Sequence, residues 1–230
     1  MASHRSLRRC AFSQKYLTDS CGRRDTVPML RRDTLADDGT SIPCYRYRMD
    51  RLPIPDILPD LLETGLDLVI CGTAAGAASA ARGAYYAGPG NRFWPILAET
   101  GLTPHRFQPS DFPSLLALGI GLTDICKTES GQDEALPRHG FDRNRLHAAM
   151  ALYRPHLLAF NSKRAAAEFF ARPTGRLAYG AQPQQEKMPE IWVLPSTSGL
   201  ACRAWHAAPW HAMAQRILAI RRERSSAPAR

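Results

Sequence analysis

The chain has 230 residues, 44% of them hydrophobic, so one domain with appendages and a sizeable core is expected. Its formal net charge of +9 favours a polyanionic partner, because each Lys or Arg that meets a phosphate releases counterions. No run of apolar residues is long enough to span a bilayer, and six scattered cysteines without a C-x-x-C pair argue against a zinc ribbon or an iron–sulfur cluster.

Residues 1–50 carry ten Lys/Arg against six acids and no apolar periodicity. They read as a basic, poorly ordered arm with a small ordered stretch near Tyr45–Met49. The folded domain is expected over residues 51–222, with a basic tail at 223–230. Leu66–Cys71 is a short continuous apolar run ending at Gly72, which predicts a buried parallel strand. A loop of small residues follows; it is neither a G-x-G-x-x-G fingerprint nor a P-loop, and its backbone N–H groups are free to approach a ligand closely. Asn91–Thr100 then reads as a helix, Asp111–Leu116 as a shorter one, and Leu118–Ile125 as a second strand weakened by two glycines. A helix over Asp142–Leu152 stops at Arg154-Pro155. A third strand, His156–Phe160, precedes a helix over Lys163–Phe170. The fourth strand is Ile191–Leu194, and a terminal helix runs from about Cys202 to Arg222, kinked or restarted at Pro209. This alternation predicts an α/β fold, a three-layer α/β/α sandwich around a short, four-stranded, mostly parallel sheet. Ligands in such sheets sit beyond the carboxyl ends of the strands, which points to Gly72–Gly76, Thr123–Asp124, Asn161 and Ser196–Arg203.

Three of those strand ends carry ordered motifs. The first combines Gly72, Gly76, Ser79 and Ala80 with Tyr86 and a Pro89-x-Asn91-x-Phe93-Trp94 box. The second is Phe160-Asn-Ser-Lys163, and the third is Leu194-Pro-Ser-Thr-Ser-Gly-Leu200. Together, from about Leu66 to Ala214, they resemble the uracil-DNA glycosylase superfamily, and within it the mismatch-specific uracil- and thymine-DNA glycosylases. That family shows G-I-N-P-G-x-x-S-A, then an aromatic residue and P-x-N-x-F-W, then F-N-G-K, and finally L-P-N-P-S-G-L. The resemblance implies a DNA repair enzyme that flips uracil out of the strand and hydrolyses its N-glycosidic bond, leaving an abasic site. It implies no cofactor and no metal.

The departures bear on the chemistry. The family's water-positioning Asn or Asp in the first motif is Ala74 here, the following Pro is Ala75, and the Asn of the last motif is Ser196. A methyl group cannot orient water, so either another carboxylate has taken the role or the protein binds DNA lesions without catalysis. Asp124, closing Gly121-Leu-Thr-Asp124 where the thymine-DNA glycosylases show G-F-T-N, is the candidate; its alternative is a turn or helix cap. Asp124 and Ser196 are therefore the expected catalytic residues.

The expected base pocket comprises Thr73, Ala74, Gly76, Tyr86, Asn161 and Ser198. Backbone N–H groups around Thr73–Gly76 and the Ser196 and Ser198 hydroxyls would stabilise the departing uracil anion. Tyr86 would stack on the base, unless it is a core tyrosine. Asn161 would bond the uracil edge, support the pocket or cap a loop. DNA contacts are expected from Ser79, Arg82, Gly199, Leu200 and Arg203. Leu200 would wedge into the vacated stack or else pack under the last helix, and Arg203 would meet a phosphate. His206 and His211, five apart, do not share a helical face and have no metal spacing. The expected partner is uracil-containing DNA, single- or double-stranded, bound by a monomer that meets no membrane. Reduced thiols suggest a cytoplasmic setting, nucleoid-associated if the source is bacterial. A glycosylase for another deaminated base, such as hypoxanthine, is the remaining alternative.

Overall fold

The computed structural model describes residues 55–226 and the short paired segments 17–18 and 24–25. The chain divides into two compact units, Met1–Asp50 and Arg51–Arg230. In the first, β1 (Leu17–Thr18) pairs antiparallel with β2 (Arg24–Asp25). The rest of the expected arm, Tyr45–Met49 included, lies outside the described residues.

The second unit is built on β3 (Leu68–Gly72), β4 (Ile120–Asp124), β5 (Leu157–Phe160), β6 (Gly180–Ala181) and β7 (Glu190–Val193). They form one sheet in the order β4-β3-β5-β7-β6, parallel except for β6. Its helices are α1 (Ala77–Arg82), α2 (Phe93–Glu99), α3 (Arg143–Tyr153), α4 (Lys163–Phe170) and α5 (Ala208–Ser226). Strand side chains alternate between two cores, as the pleat requires. Leu68, Ile70, Leu157, Ala159 and Trp192 face one core with Phe93, Trp94 and Leu97 of α2 and Trp210, Met213 and Ile217 of α5. The intervening Val69, Cys71, Leu158, Phe160, Ile191 and Val193 face the other with Leu146 and Met150 of α3 and Ala165 and Phe169 of α4. Each fully buried side chain of this size contributes about 1.5–3 kcal/mol. The expected three layers are present.

Local chemistry sets the helix ends. The Asp142 side chain accepts from Arg145 N at the start of α3, and Ser162 Oγ accepts from Ala165 N at the start of α4. Asn91 Oδ1 accepts from Phe93 N at the start of α2.

Four expectations need correction. The sheet has a fifth strand, β6, whose two residues with Gly180 at φ 99° carry no periodic pattern. The small-residue loop contains α1, because Ala is the best helix former even where no apolar stripe marks the segment. Asp111–Leu116 is part of a ten-residue 3-10 helix, Pro109–Leu118, with Pro113 inside it. The terminal helix does not begin near Cys202: Gly199–Ala204 is a separate 3-10 helix, and α5 starts at Ala208, where Pro209 needs no N–H partner. Nor does it end at Arg222. It continues to Ser226, and Arg221 and Arg224 close on the nearly buried Asp67 carboxylate just before β3.

Candidate active site

The parallel register brings the carboxyl ends of β3 and β4 level, with Gly72 opposite Asp124. The ladder continues past both strands. Gly72 O, Thr73 O and Ala75 O accept from Ile125 N, Cys126 N and Gly131 N, so the two loops leave the sheet side by side. Gly72 is obligatory at this point. A Cβ there would sit 2.2 Å from Asp124 Oδ1 and 3.3 Å from the Tyr86 hydroxyl. The missing side chain is what lets the carboxylate lie against the first motif.

Asp124 is only 3% exposed, and its carboxylate has no hydrogen-bond partner among the described residues. It is therefore not a cap. Burial pushes its pKa up to about 7; Lys127 opposes the shift, Asp60 adds to it and Arg145 opposes it.

Those three residues form a network under the site that sequence reasoning missed. Lys127 Nζ lies 2.8 Å from Asp60 Oδ1 and donates to Tyr85 Oη at 3.2 Å. Arg145 donates to Asp60 Oδ2 at 2.6 Å, to Thr123 Oγ1 at 3.3 Å and to the Asp124 carbonyl at 2.5 Å. Thr123 Oγ1 donates to Asp60 Oδ1 at 2.7 Å. Asp60, Lys127 and Arg145 come from three separate stretches of chain, and none carries a motif signature. The one available signal is Lys127, a charge three residues beyond a buried strand that the structure holds 5% exposed.

Tyr86 adopts φ 53°, a left-handed conformation that costs about 1 kcal/mol or more for a non-glycine residue. Its loop is held by Ser79 Oγ, which accepts from Ala87 N at 3.0 Å, and by Arg82, which donates to Ala87 O at 2.8 Å. Ser79 is thus buried inside the loop rather than displayed on the surface, whereas Arg82 is exposed. The Tyr86 ring stacks on Phe93 with centroids 3.8 Å apart. Tyr86 is half-buried and its hydroxyl fully buried, so its exposure belongs to the ring and backbone.

The third motif is wired to the rest of the site through its backbone. Asn161 Nδ2 donates to Thr197 Oγ1 at 2.9 Å, and Asn161 Oδ1 accepts from Thr197 N at 3.2 Å. Both ends of that amide are engaged by Thr197, which ties the end of β5 to the third motif. Arg92 N donates to Thr197 O at 2.8 Å, and the Trp210 indole donates to Pro195 O. Ser196 Oγ accepts from Ser198 N, and Ser198 Oγ accepts from Leu200 N, leaving each hydroxyl proton available. Gly199 packs directly on the first-motif loop: a Cβ there would lie 2.9 Å from Pro89 O.

Leu200 is 78% exposed, so it does not pack under the last helix. Arg203 is also exposed, three residues further on, beyond a kink at Ala201. Thr73 is buried, its hydroxyl 3.0 Å from Ser162 Oγ and within 3.4 Å of Asp133, so it braces the loop from below. Ala74 is half-buried, and Gly76 is exposed with open space where a Cβ would point. His211 meets Glu99 at 2.9 Å, and the His206 ring lies 5.1 Å from Tyr179. Among the described residues no cluster of His, Cys, Asp and Glu could hold a metal, and no helix is long and apolar enough to cross a membrane.

The fold is similar to the solution NMR structure of a candidate uracil DNA glycosylase from Methanosarcina acetivorans, with a TM-score of 0.51 and 22% identity over 71% of this chain and 98% of that one. The family model of the uracil DNA glycosylase superfamily matches residues 59–214, a stretch that takes in β3–β7 and every motif described above. The chain therefore belongs to the uracil DNA glycosylase superfamily.

Proposed function

We propose that this protein hydrolyses the N-glycosidic bond of deoxyuridine in DNA, releasing uracil and leaving an abasic site. The observation that carries the reading is the buried, unpaired Asp124 carboxylate lying against Gly72 and close to Tyr86, where Ala74 offers no polar group. On this reading the flipped base stacks on Tyr86. The C1′–N1 bond breaks with its electron pair on the uracil ring, and water oxygen forms the new bond to C1′. Asp124 holds that water and takes its proton, which finally returns to the uracil anion. The Ser196 and Ser198 hydroxyls and the loop N–H groups stabilise that anion, a term worth several kcal/mol when donors are preorganised. The decisive test is release of uracil from single- and double-stranded oligonucleotides, read by alkaline cleavage at the abasic site. Binding without cleavage would instead favour the lesion-binding reading.

Leu200 is the candidate wedge, because a large apolar side chain left 78% exposed beside the site has no core to serve. Leu200→Ala should leave thermal stability unchanged and slow excision from duplex DNA about tenfold more than from single strands, whose bases have little stack to leave. Equal losses on both substrates would remove the wedge.

Gly76 lies on an open side of the loop, which supports tolerance of small 5-substituents on the base. Gly76→Tyr should abolish excision of 5-fluorouracil and 5-hydroxymethyluracil while sparing uracil. If the wild type already rejects every 5-substituted base, the open-pocket reading is wrong.

A further inference from the structure

The Tyr86 hydroxyl is buried and has no hydrogen-bond partner among the described residues. Leaving a buried phenol unsatisfied costs about 1–3 kcal/mol, and a phenylalanine at this position would stack equally well. The stacking role therefore does not account for the oxygen. Its surroundings do. The hydroxyl and Asp124 Oδ1 both crowd the open face of Gly72: a Cβ built there would lie 3.3 Å from the first and 2.2 Å from the second. Burial raises the proton affinity of the phenol first and Asp124 raises it further, while the Asn161 side chain, close enough to interact as a hydrogen-bonding group though not at hydrogen-bond geometry, lowers it.

Among the described side-chain donors around the carboxylate, Arg145 Nε is likewise buried without a partner, but that guanidinium is anchored elsewhere. Lys127 Nζ serves Asp60 and Tyr85, and Arg145 reaches Asp124 only at its backbone carbonyl. Asn161 binds Thr197 with both amide atoms, and its side chain also interacts with the Tyr86 phenol rather than with the Asp124 carboxylate. The remaining titratable neighbours, Cys71 and Tyr85, are themselves pushed up by burial and then by the Asp124 charge, and Tyr85 Oη already accepts from Lys127.

We infer that the Tyr86 hydroxyl is the positioning group of Asp124: when a flipped base seats on the ring, the phenol closes onto one carboxylate oxygen and donates it a hydrogen bond. The inference rests on the assignment of Asp124 as the water-holding base. A base in the pocket excludes solvent from a carboxylate that already lacks partners, which strongly favours the protonated acid. A donor that engages only then keeps the carboxylate ionised, and it fixes the second oxygen toward the water. Catalytic hydrogen bonds that are long in the free enzyme and tighten on binding are a general pattern. The left-handed backbone at Tyr86 also fits a side chain held in place for a contact that the free protein does not make.

The experiment compares wild type, Tyr86→Phe and Asp124→Asn on a single-stranded oligonucleotide carrying one uracil. Single-turnover rates are measured from pH 5.5 to 8.5, together with affinity for that oligonucleotide and thermal unfolding. Tyr86→Phe should excise about tenfold more slowly at pH 7. Its acid limb should move up by about one pH unit, so that the deficit shrinks toward pH 8.5. Affinity should hold, and the melting temperature should not fall, because an unsatisfied buried hydroxyl has been removed. An unmoved acid limb, or a pH-independent loss accompanied by weaker binding or a lower melting temperature, overturns the inference. If Asp124→Asn is inactive while Tyr86→Phe behaves as wild type, the inference falls alone. If Asp124→Asn excises with the wild-type profile, or the wild type releases no uracil, the Asp124 assignment falls and the inference with it.

Discussion

Asp124→Asn is expected to slow single-turnover uracil excision by about 10²-fold or more, and at pH 8 to make the protein more stable than wild type. The two effects share one cause. Asp124 is buried without a hydrogen-bond partner for its carboxylate among the described residues, and burial raises its pKa to about 7 from an ordinary carboxylate value. A group whose folded pKa is raised favours the folded state while it is protonated, below its unfolded pKa. That contribution is lost progressively as the pH climbs from about 4 through about 7. About three pKa units correspond to roughly 4 kcal/mol at pH 8, an upper figure. Asparagine occupies the same volume without the charge. The stability gap between variant and wild type should therefore be widest above pH 7 and close near pH 4, as read from urea or thermal unfolding at several pH values. A gap that does not change between pH 5 and pH 8 would mean that the carboxylate is not held in a buried, charge-disfavouring position. The wild-type excision rate should rise with pH to a plateau above about pH 7, where the ionised base dominates.

The second large effect is expected at a residue with no catalytic contact. Asp60 is the counterion of Lys127 at 2.8 Å and of Arg145 at 2.6 Å, and the Lys127 side chain is 4% exposed. Asp60→Ala leaves that ammonium buried with only Asp56, 3.9 Å away and more exposed, to offset it. Removing one partner of a buried pair costs about 3–5 kcal/mol. Asp60 itself retains some solvent contact, so about 3 kcal/mol is the expected loss, a fall in melting temperature of roughly 10 °C for a unit of this size. Asp60 also raises the proton affinity of Asp124, while Lys127 and Arg145 lower it. Deleting Asp60 should therefore move the acid limb of excision to lower pH, opposite to the shift expected for Tyr86→Phe. A variant as stable as wild type, with an unmoved acid limb, would reduce the network to surface decoration.

The strands show how far periodicity carries. Leu66–Cys71, His156–Phe160 and Ile191–Leu194 fall on β3, β5 and β7 because strands covered on both faces must be continuously apolar. Lys163–Phe170 coincides with α4, whose apolar face is well marked and whose Ser162 cap is a local signal. The glycines in Leu118–Ile125 weakened that strand on paper, yet Gly121 is required there. A Cβ would lie 2.6 Å from Leu66 Cδ1 and 2.7 Å from Leu61 O, where residue 61 bridges to Leu122 along the sheet edge. The break between Gly199–Ala204 and α5 was hidden because polar and apolar residues there fit a helix as well as a turn.

The site divides along the same line. Residues that lie at or just beyond a strand end were visible in the linear order: Gly72, Asp124, Asn161 and the run from Ser196 to Leu200. What neighbours them was not. Asp60, Lys127 and Arg145 meet under Asp124 from positions 85 residues apart at the extremes, and charge pairing between distant segments leaves no local pattern. Nor does the linear order separate Ser79, turned inward onto Ala87 N, from Leu200, turned outward with 78% exposure. Sequence alone determined the layered α/β architecture and the family, because strand periodicity and motif order are local properties. The tertiary structure alone decided that, among the described residues, the Asp124 carboxylate is buried and unpaired, Asn161 is bonded to Thr197 and the Tyr86 hydroxyl has no hydrogen-bond partner. Burial and hydrogen-bond satisfaction depend on which distant segments the fold brings together, and that is fixed only when the whole core packs.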